Sequence, residues 1–537
     1  MKTELRKNTR VLKTKVLSVC VLLFLTVSCT EKQEELGIIG GGAKSTRSES
    51  SGVTLGRRLV NPYTLANMQA AYNSLHAGDN IPFMALTPTH KYISITIQDT
   101  SELTCLLKDT TIVVSQFPLD YELIDTGFYM PDEEYGHTVY AVVPYNMDLK
   151  FSEYELIDDC VIPDEDDAEL QEVEYKSWEL TGNLKKEEDN DGGTRCLTPH
   201  YPQGYIKVYN TETQQAEAVR NVKVRLHTFV KVRDVYTSEY GYYYTNTPFY
   251  ADNIYYHVIY DNRKSSFAIW DNNFAVLPAS LYLGKKSSSG YSYTMWASSS
   301  GWRASTVNNA VDIYRQRLCS DLELTKLPTN NLRLALMHMD ALEWGGSTPM
   351  FYHRVRNDLS FNEFMGLVAA SSGLVLALPD MFLFTNDIDT RHQYHLVFHE
   401  MSHVLHFAQV GGTYWAQFVD DVIANLGYGD SNSSWLSERV GVSEMWGYFA
   451  EGVLEQYCWN HYYSHPVDTI YYGNAHWFKP QILYTINEEI PSISAMEILD
   501  CLQSNVATFI SFRNEIKRHT HFAHYAYIDY LFRELCD

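Results

Sequence analysis

The sequence predicts a multidomain α+β protein, and three observations carry that prediction. At 537 residues the chain is long enough for two to four domains of ordinary size. Its middle is a series of short alternating strands with turn residues between them, whereas nearly everything after residue 413 has helical spacing. Between these regions an apolar helical stretch carries two histidines four residues apart with a glutamate beside the first, His399-Glu400-Met401-Ser402-His403.

The first 28 residues read as a targeting segment. Six basic residues (Lys2, Arg6, Lys7, Arg10, Lys13 and Lys15) precede an apolar run from Val16 to Val27 that is short for a membrane span. Leu25-Thr-Val-Ser-Cys29 resembles a bacterial lipobox, with Thr26 where leucine is usual, and the resemblance makes Cys29 the lipidated first residue of the mature chain. Glu31, Glu34 and Glu35 resemble the export signal of Bacteroidetes surface lipoproteins. That implies an outer membrane lipoprotein exposed at the cell surface, with residues 29–52 as a flexible tether rich in Gly, Ser and Thr.

The formal charge of the chain is −24. Residues 1–28 carry those six basic groups against Glu4 alone, so removing their net +5 leaves the remainder near −29. Such a surface excludes nucleic acid as a partner and leaves the lipid as the means of membrane attachment. Beyond Cys20 and Cys29, the cysteines at 105, 160, 196, 319, 458, 501 and 536 are odd in number and scattered. They give neither a disulfide framework nor a cysteine metal site.

Residues 53–184 read as an N-terminal domain of mixed α/β character. Asn61 to Leu75 has helical spacing, and Tyr92-Ile-Ser-Ile-Thr-Ile97, Thr111 to Val114 and Val139 to Pro144 read as strands. The acidic run Val161 to Glu174 reads as a solvated face or loop, because it lacks the spacing of a calcium loop. The charged, glycine-ended stretch Lys185 to Gly193 reads as a linker. Residues 197–272 follow as a small β-sandwich, with strands at Gly204–Tyr209, Val222–Thr228, Val235–Thr245 and Ile254–Tyr260. Their order and the polar turn after the first strand resemble a transthyretin-like or carboxypeptidase-regulatory-like module. His227 and His257 read as structural there.

Residues 273–537 then form the last domain. Ser305 to Leu318 reads as helix, Asn331 to Asp340 and Gly373 to Phe384 as buried strands, and six helices are predicted from Trp415 onward. Asp389 or Thr390 can cap the helix carrying the histidine pair, and Gly411-Gly412 can end it. Residues four apart share a helical face, so His399 and His403 can aim imidazole nitrogens at one zinc ion. Glu400 lies about a hundred degrees round the helix and is free to act as a general base on water.

A catalytic zinc needs a third protein ligand. The metzincin continuation would place Gly at 406 and His at 409, where this chain has His406 and Gln409. What remains is a carboxylate on a following helix, and Val442 to Gly452 offers Glu444 and Glu451, seven apart on one face. This pattern resembles the gluzincins, thermolysin-like and lethal-factor-like. The resemblance implies a zincin-like metallopeptidase domain with a mostly helical C-terminal part, a site of His399, His403 and Glu444, and Glu400 as base. Glu451 is then the alternative ligand or a partner of a ligand histidine, and His406 either extends the ligand cluster or packs beside it. Tyr448, one turn after Glu444, is the candidate for stabilising the reaction intermediate.

Taken whole, the chain resembles the zinc-binding metallopeptidase lipoproteins of Bacteroidetes. The lipobox, the Asn61-Pro-Tyr and Pro118-Leu-Asp-Tyr-Glu122 segments, the sandwich and the HExxH domain stand in that order. The resemblance implies a peptide, protein or glycoprotein substrate. A surface adhesin or a glycan-binding lipoprotein that keeps a zinc site is the alternative, and 40 tyrosines and 10 tryptophans suit the glycan binder.

Overall fold

The computed structural model describes residues 52–536 apart from 79–83, 98–101, 103–105, 108, 110, 130–137, 150–152, 185–198, 272–275, 325–329, 338–348, 350, 352–353, 355–378, 386–388, 425–437 and 468–476. The targeting segment, Cys29, the linker at 185–193 and most of the apolar run before Met381 therefore lie outside the described residues. Within them the chain is a multidomain α+β protein, and no helix is long and apolar enough to cross a membrane.

The N-terminal region holds β1 (Thr54–Arg58), α1 (Leu65–Leu75), β2 (His90–Thr96), β3 (Val113–Ser115), β4 (Tyr121–Ile124), β5 (Gly127–Phe128), β6 (Thr138–Pro144), β7 (Tyr154–Cys160) and α2 (Ala168–Leu180). Strands β3-β6-β2-β7 form an antiparallel sheet. The acidic run is not all solvated, which corrects the expectation. Asp167 caps α2 through the Leu170 N–H, and Glu174, one turn further on, is buried against Lys231 at 2.9 Å. A buried carboxylate needs such a partner.

The next strands are β8 (Gln203–Asn210), β9 (Gln215–Ala218), β10 (Lys223–Thr228), β11 (Lys231–Tyr236), β12 (Tyr242–Tyr244), β13 (Asn253–Ile259), β14 (Asp261–Asn262), β15 (Phe267–Asp271), β16 (Ser280–Ser287) and β17 (Tyr293–Met295). β14 and β15 belong to a separate sheet with strands further along the chain, and the others, with β5, make two sheets. The larger runs β11-β10-β13-β16-β5 and the smaller β12-β8-β17, with β9 also on β8. The stretch expected as one strand at Val235–Thr245 is broken, because Gly241 turns at φ 75° between β11 and β12. Val224, Leu226, Tyr256 and Val258 of one sheet share a core with Ile206, Val208 and Tyr243 of the other. The opposite face of β10 is buried as well, under the N-terminal region, so Lys223, Arg225 and His227 need internal partners. Lys223 pairs with Asp261, Arg225 forks onto Asp234 at 2.8 Å, and His227 Nε2 meets His257 Nε2 at 3.1 Å.

Strand pairing crosses the expected boundary at residue 272. β15 leaves the larger sheet's company and pairs in parallel with β18 (Leu332–Met337), which pairs in parallel with β19 (Met381–Phe384). β16 and β17, placed by sequence in the last domain, return to β13 and β8. Strand pairing follows the alternation of buried side chains, and that alternation does not mark which sheet a strand joins.

The remainder is helical: α3 (Trp302–Ile313), α4 (Thr390–Val410), α5 (Gly412–Ala424), α6 (Glu438–Tyr457), α7 (Gln481–Glu489), α8 (Ala495–Asp500), α9 (Phe509–Arg518) and α10 (Tyr525–Cys536). α4 is the axis of this region and packs against α3, α5, α6 and β19. Asp389 caps its start by accepting from the His392 N–H at 2.8 Å, and Gly411 ends it at φ 81°. Thr390 and Thr211 exchange backbone-to-hydroxyl bonds of 2.8 and 2.9 Å, which pin the end of β8 to the start of α4.

Candidate metal centre

The site is made by two helices that run antiparallel, α4 and α6. Along α4 the side chains of Arg391, His395, His399 and His403 fall four apart on one face. Along α6 the facing carboxylates are Glu455, Glu451 and Glu444. α4 is buried along most of its length, so His399, His403 and the facing carboxylates are removed from solvent, His403 at 0 % and Glu444 at 1 % exposure, while Arg391 and His395 stay partly exposed.

His399, His403 and Glu444 converge. His399 Nε2 and His403 Nε2 are 3.1 Å apart, and the Glu444 oxygens lie 3.3 Å from the first and 3.4 Å from the second. Bonds of 2.0–2.2 Å at tetrahedral angles space neighbouring zinc-ligand atoms by about 3.3–3.6 Å, so these three side chains lie near enough together to hold a metal ion. Two imidazoles and a carboxylate are also the donor set that a catalytic zinc takes. Gly447 leaves the room. A Cβ built there would lie 3.0 Å from His399 Cε1 and from His403 Cε1 and Nε2.

Each imidazole has its far nitrogen occupied. His399 Nδ1 donates to Glu451 Oε2 at 2.9 Å, and His403 Nδ1 lies 3.2 Å from Ser443 Oγ. Those contacts leave each Nε2 facing the common point. Ser443 Oγ also meets His406 Nδ1 at 3.2 Å, so that hydroxyl links His406 to His403. Burial, followed by the nearby His403, pushes the His406 imidazole down to about 3.

Burial alone would raise the Glu444 carboxyl, but His403 and His399 hold it well below the usual carboxylate range. The same opposition, with His395 as the larger attraction, holds Glu451 down to about 2. Glu400 behaves in the opposite way. Burial, aided by the charges of Glu444 and Glu451, pushes its carboxyl up to about 8, and its Oε2 has no hydrogen-bond partner among the described residues. An unpartnered buried carboxylate oxygen beside a ligand triangle calls for a cation or a polar ligand. Tyr448 sets its ring edge-on to His399, with centroids 4.5 Å apart, and stacks on Phe478.

The structure thus gathers His399, Glu400, His403, Glu444, Tyr448 and Glu451, and leaves His406 one contact away. His395, Ser443 and Gly447 are not singled out in the sequence analysis. The four-residue period from Arg391 to His403 could have found His395, whereas nothing in the sequence marks Ser443 or Gly447. No family model, curated protein or solved structure matches this chain.

Proposed function

We propose that the chain is a zinc-dependent peptidase, held on the outer membrane surface by a lipid on Cys29. The observation that carries this reading is the mutual spacing of His399, His403 and Glu444 with Glu400 adjacent and unsatisfied. His399, His403 and Glu444 would hold the zinc, which when bound supplies a Lewis acid for the scissile carbonyl and makes water more acidic. Glu400 takes the proton of the attacking water as the new C–O bond forms, then passes it to the amine nitrogen as the C–N bond breaks. Glu451 and Ser443 keep the two imidazoles in the tautomer that offers Nε2. Tyr448, whose ring lies beside His399, is the candidate to meet the developing oxyanion. The parallel order β15-β18-β19 leading into α4 supports a zincin-like domain, and the two sheets before it support a transthyretin-like sandwich.

The competing reading is a surface adhesin or glycan-binding lipoprotein with a structural zinc. It has no use for Glu400, whose burial without a partner costs about 1–3 kcal/mol. The deciding experiment is Glu400→Gln in residues 52–537. The variant should keep zinc and thermal stability and lose hydrolysis of a peptide library by at least about a hundredfold. Zinc-loaded wild type that cuts no peptide would favour the adhesin. Cys29→Ser should release the full-length chain from the membrane fraction, and a wild type with no acylated N-terminus would overturn the anchoring.

A further inference from the structure

The contacts between α4 and α6 continue past the metal ligands. The Arg391 guanidinium donates to Glu455 Oε1. His395 Nδ1 lies 2.6 Å from Glu451 Oε1 and 3.1 Å from Glu455 Oε2, and the second Glu451 oxygen receives the His399 Nδ1–H. Both carboxylate side chains are nearly sealed from solvent, at 1 and 3 % exposure, while His395 is 22 % exposed. A linked series therefore runs from the partly exposed end of the helix pair to the imidazole of a ligand.

A second metal ion among His395, Glu451 and Glu455 is the obvious competitor, because these three also come within reach of one another. Two features weigh against it. The 2.6 Å separation of His395 and Glu451 is that of a charge-assisted hydrogen bond, well short of the roughly 3.3 Å between ligand atoms on one zinc. Glu455 is also already neutralised by Arg391.

We propose that His395 is a positioning residue for the metal centre, which fixes the Glu451 carboxylate so that His399 is held in one tautomer and one ring orientation. Arg391 and Glu455 secure His395 in turn. A carboxylate bonded only to His399 could turn about its terminal torsion. One fastened through its other oxygen cannot turn without breaking a buried charged bond. This inference rests on the reading of His399 as a ligand, and it adds that the metal's grip is set two residues away from it.

The test measures zinc affinity by chelator competition, and the visible spectrum of the cobalt-loaded protein, without reference to hydrolysis. His395→Ala should weaken zinc binding about ten- to hundredfold and alter the cobalt bands, and His395→Gln, which restores an N–H donor, should recover part of both. Glu451→Gln should weaken binding similarly. The double variant His395→Ala/Glu451→Gln should bind no more weakly than Glu451→Gln alone, since His395 acts through Glu451. Tyr394→Phe breaks a 2.7 Å bond from the same helix to Tyr463 and should leave affinity unchanged. If His395→Ala does not fold, Arg391→Gln gives the same reading from the outer end, with a loss of several-fold. Full additivity of the two substitutions, or a wild-type affinity and spectrum in His395→Ala, overturns the proposal. A wild-type chain that takes up neither metal overturns the metal-site reading and this proposal with it.

Discussion

Gly447 stands so close to His403 that a methyl group on its Cα would lie 3.0 Å from Nε2, the nitrogen that faces the ligand triangle. The residue one turn after Glu444 must therefore be small for the imidazoles to keep their positions. Gly447→Ala should push both rings by a few tenths of an ångström. It should lower zinc affinity about tenfold and fold stability by about 1–3 kcal/mol, the usual range for overpacking. Competition titration and denaturant melts measure the two effects, and a variant that binds zinc like wild type would show that the rings have room to move.

Removing the metal should be felt by the fold. The three candidate ligands are buried polar groups whose best partner is a cation, and a ligand that binds only the native state stabilises it by mass action. At a free zinc concentration 100 times Kd the gain is about 2.7 kcal/mol. A chelator should lower Tm, added zinc should restore it, and Glu444→Ala should make Tm insensitive to zinc.

Acid should destabilise the protein through His227 and His257. Burial pushes both imidazoles below their ordinary value of 6.5, His227 to about 3, and the neighbouring charge of Arg225 adds to the effect. Above pH 6.5 neither state binds the extra proton and the pair costs nothing. Between 6.5 and about 3 the unfolded chain takes up protons that the native chain refuses. Stability then falls with pH by up to about 1.4 kcal/mol per pH unit for each histidine. Urea melts from pH 7 to pH 5 give the slope. In His257→Phe, which keeps a ring between Phe117 and Tyr282, the slope should shrink by about one proton.

The buried pair Lys231–Glu174 joins the N-terminal region to the larger sheet. Lys231 Nζ reaches both Glu174 oxygens at 3.0 and 2.9 Å, and Tyr63 Oη donates to one of them at 2.6 Å. Lys231→Met leaves a buried carboxylate without its cation and should cost about 3–5 kcal/mol. Lys231→Met combined with Glu174→Leu removes both charges and should recover much of that loss. A single substitution no worse than the double would mean that water reaches Glu174.

The candidate site was largely legible because helical geometry is local. His399 and His403 four apart, a cap at Asp389 and a stop at Gly411 place two candidate ligands and a candidate base without knowledge of the rest of the fold. Glu444 lies 41 residues further on, and its role came from a family resemblance; periodicity alone left Glu451 equally open. Ser443 and Gly447 matter only through what α4 brings near them, and a single sequence carries no trace of that. Strands such as β2, β6, β8, β10 and β13 were legible as strands, yet their partners were not, and β7, β15, β16 and β17 are not singled out by the sequence. β15 and β16 lie in a stretch where no strand is read from the sequence, and only the assembled sheets show that they serve different ones.

The exchange of β15 and β16 between sheets means that the helical region cannot be cut away as a working piece. A nick near residue 272 would leave β15 on one fragment and its partner β18 on the other, while β16 and β17 would part from β13 and β8. Each fragment would expose unpaired strand edges and half of a shared apolar core. Unfolding of the two sheets would therefore disrupt the α4–α6 pair in the same event.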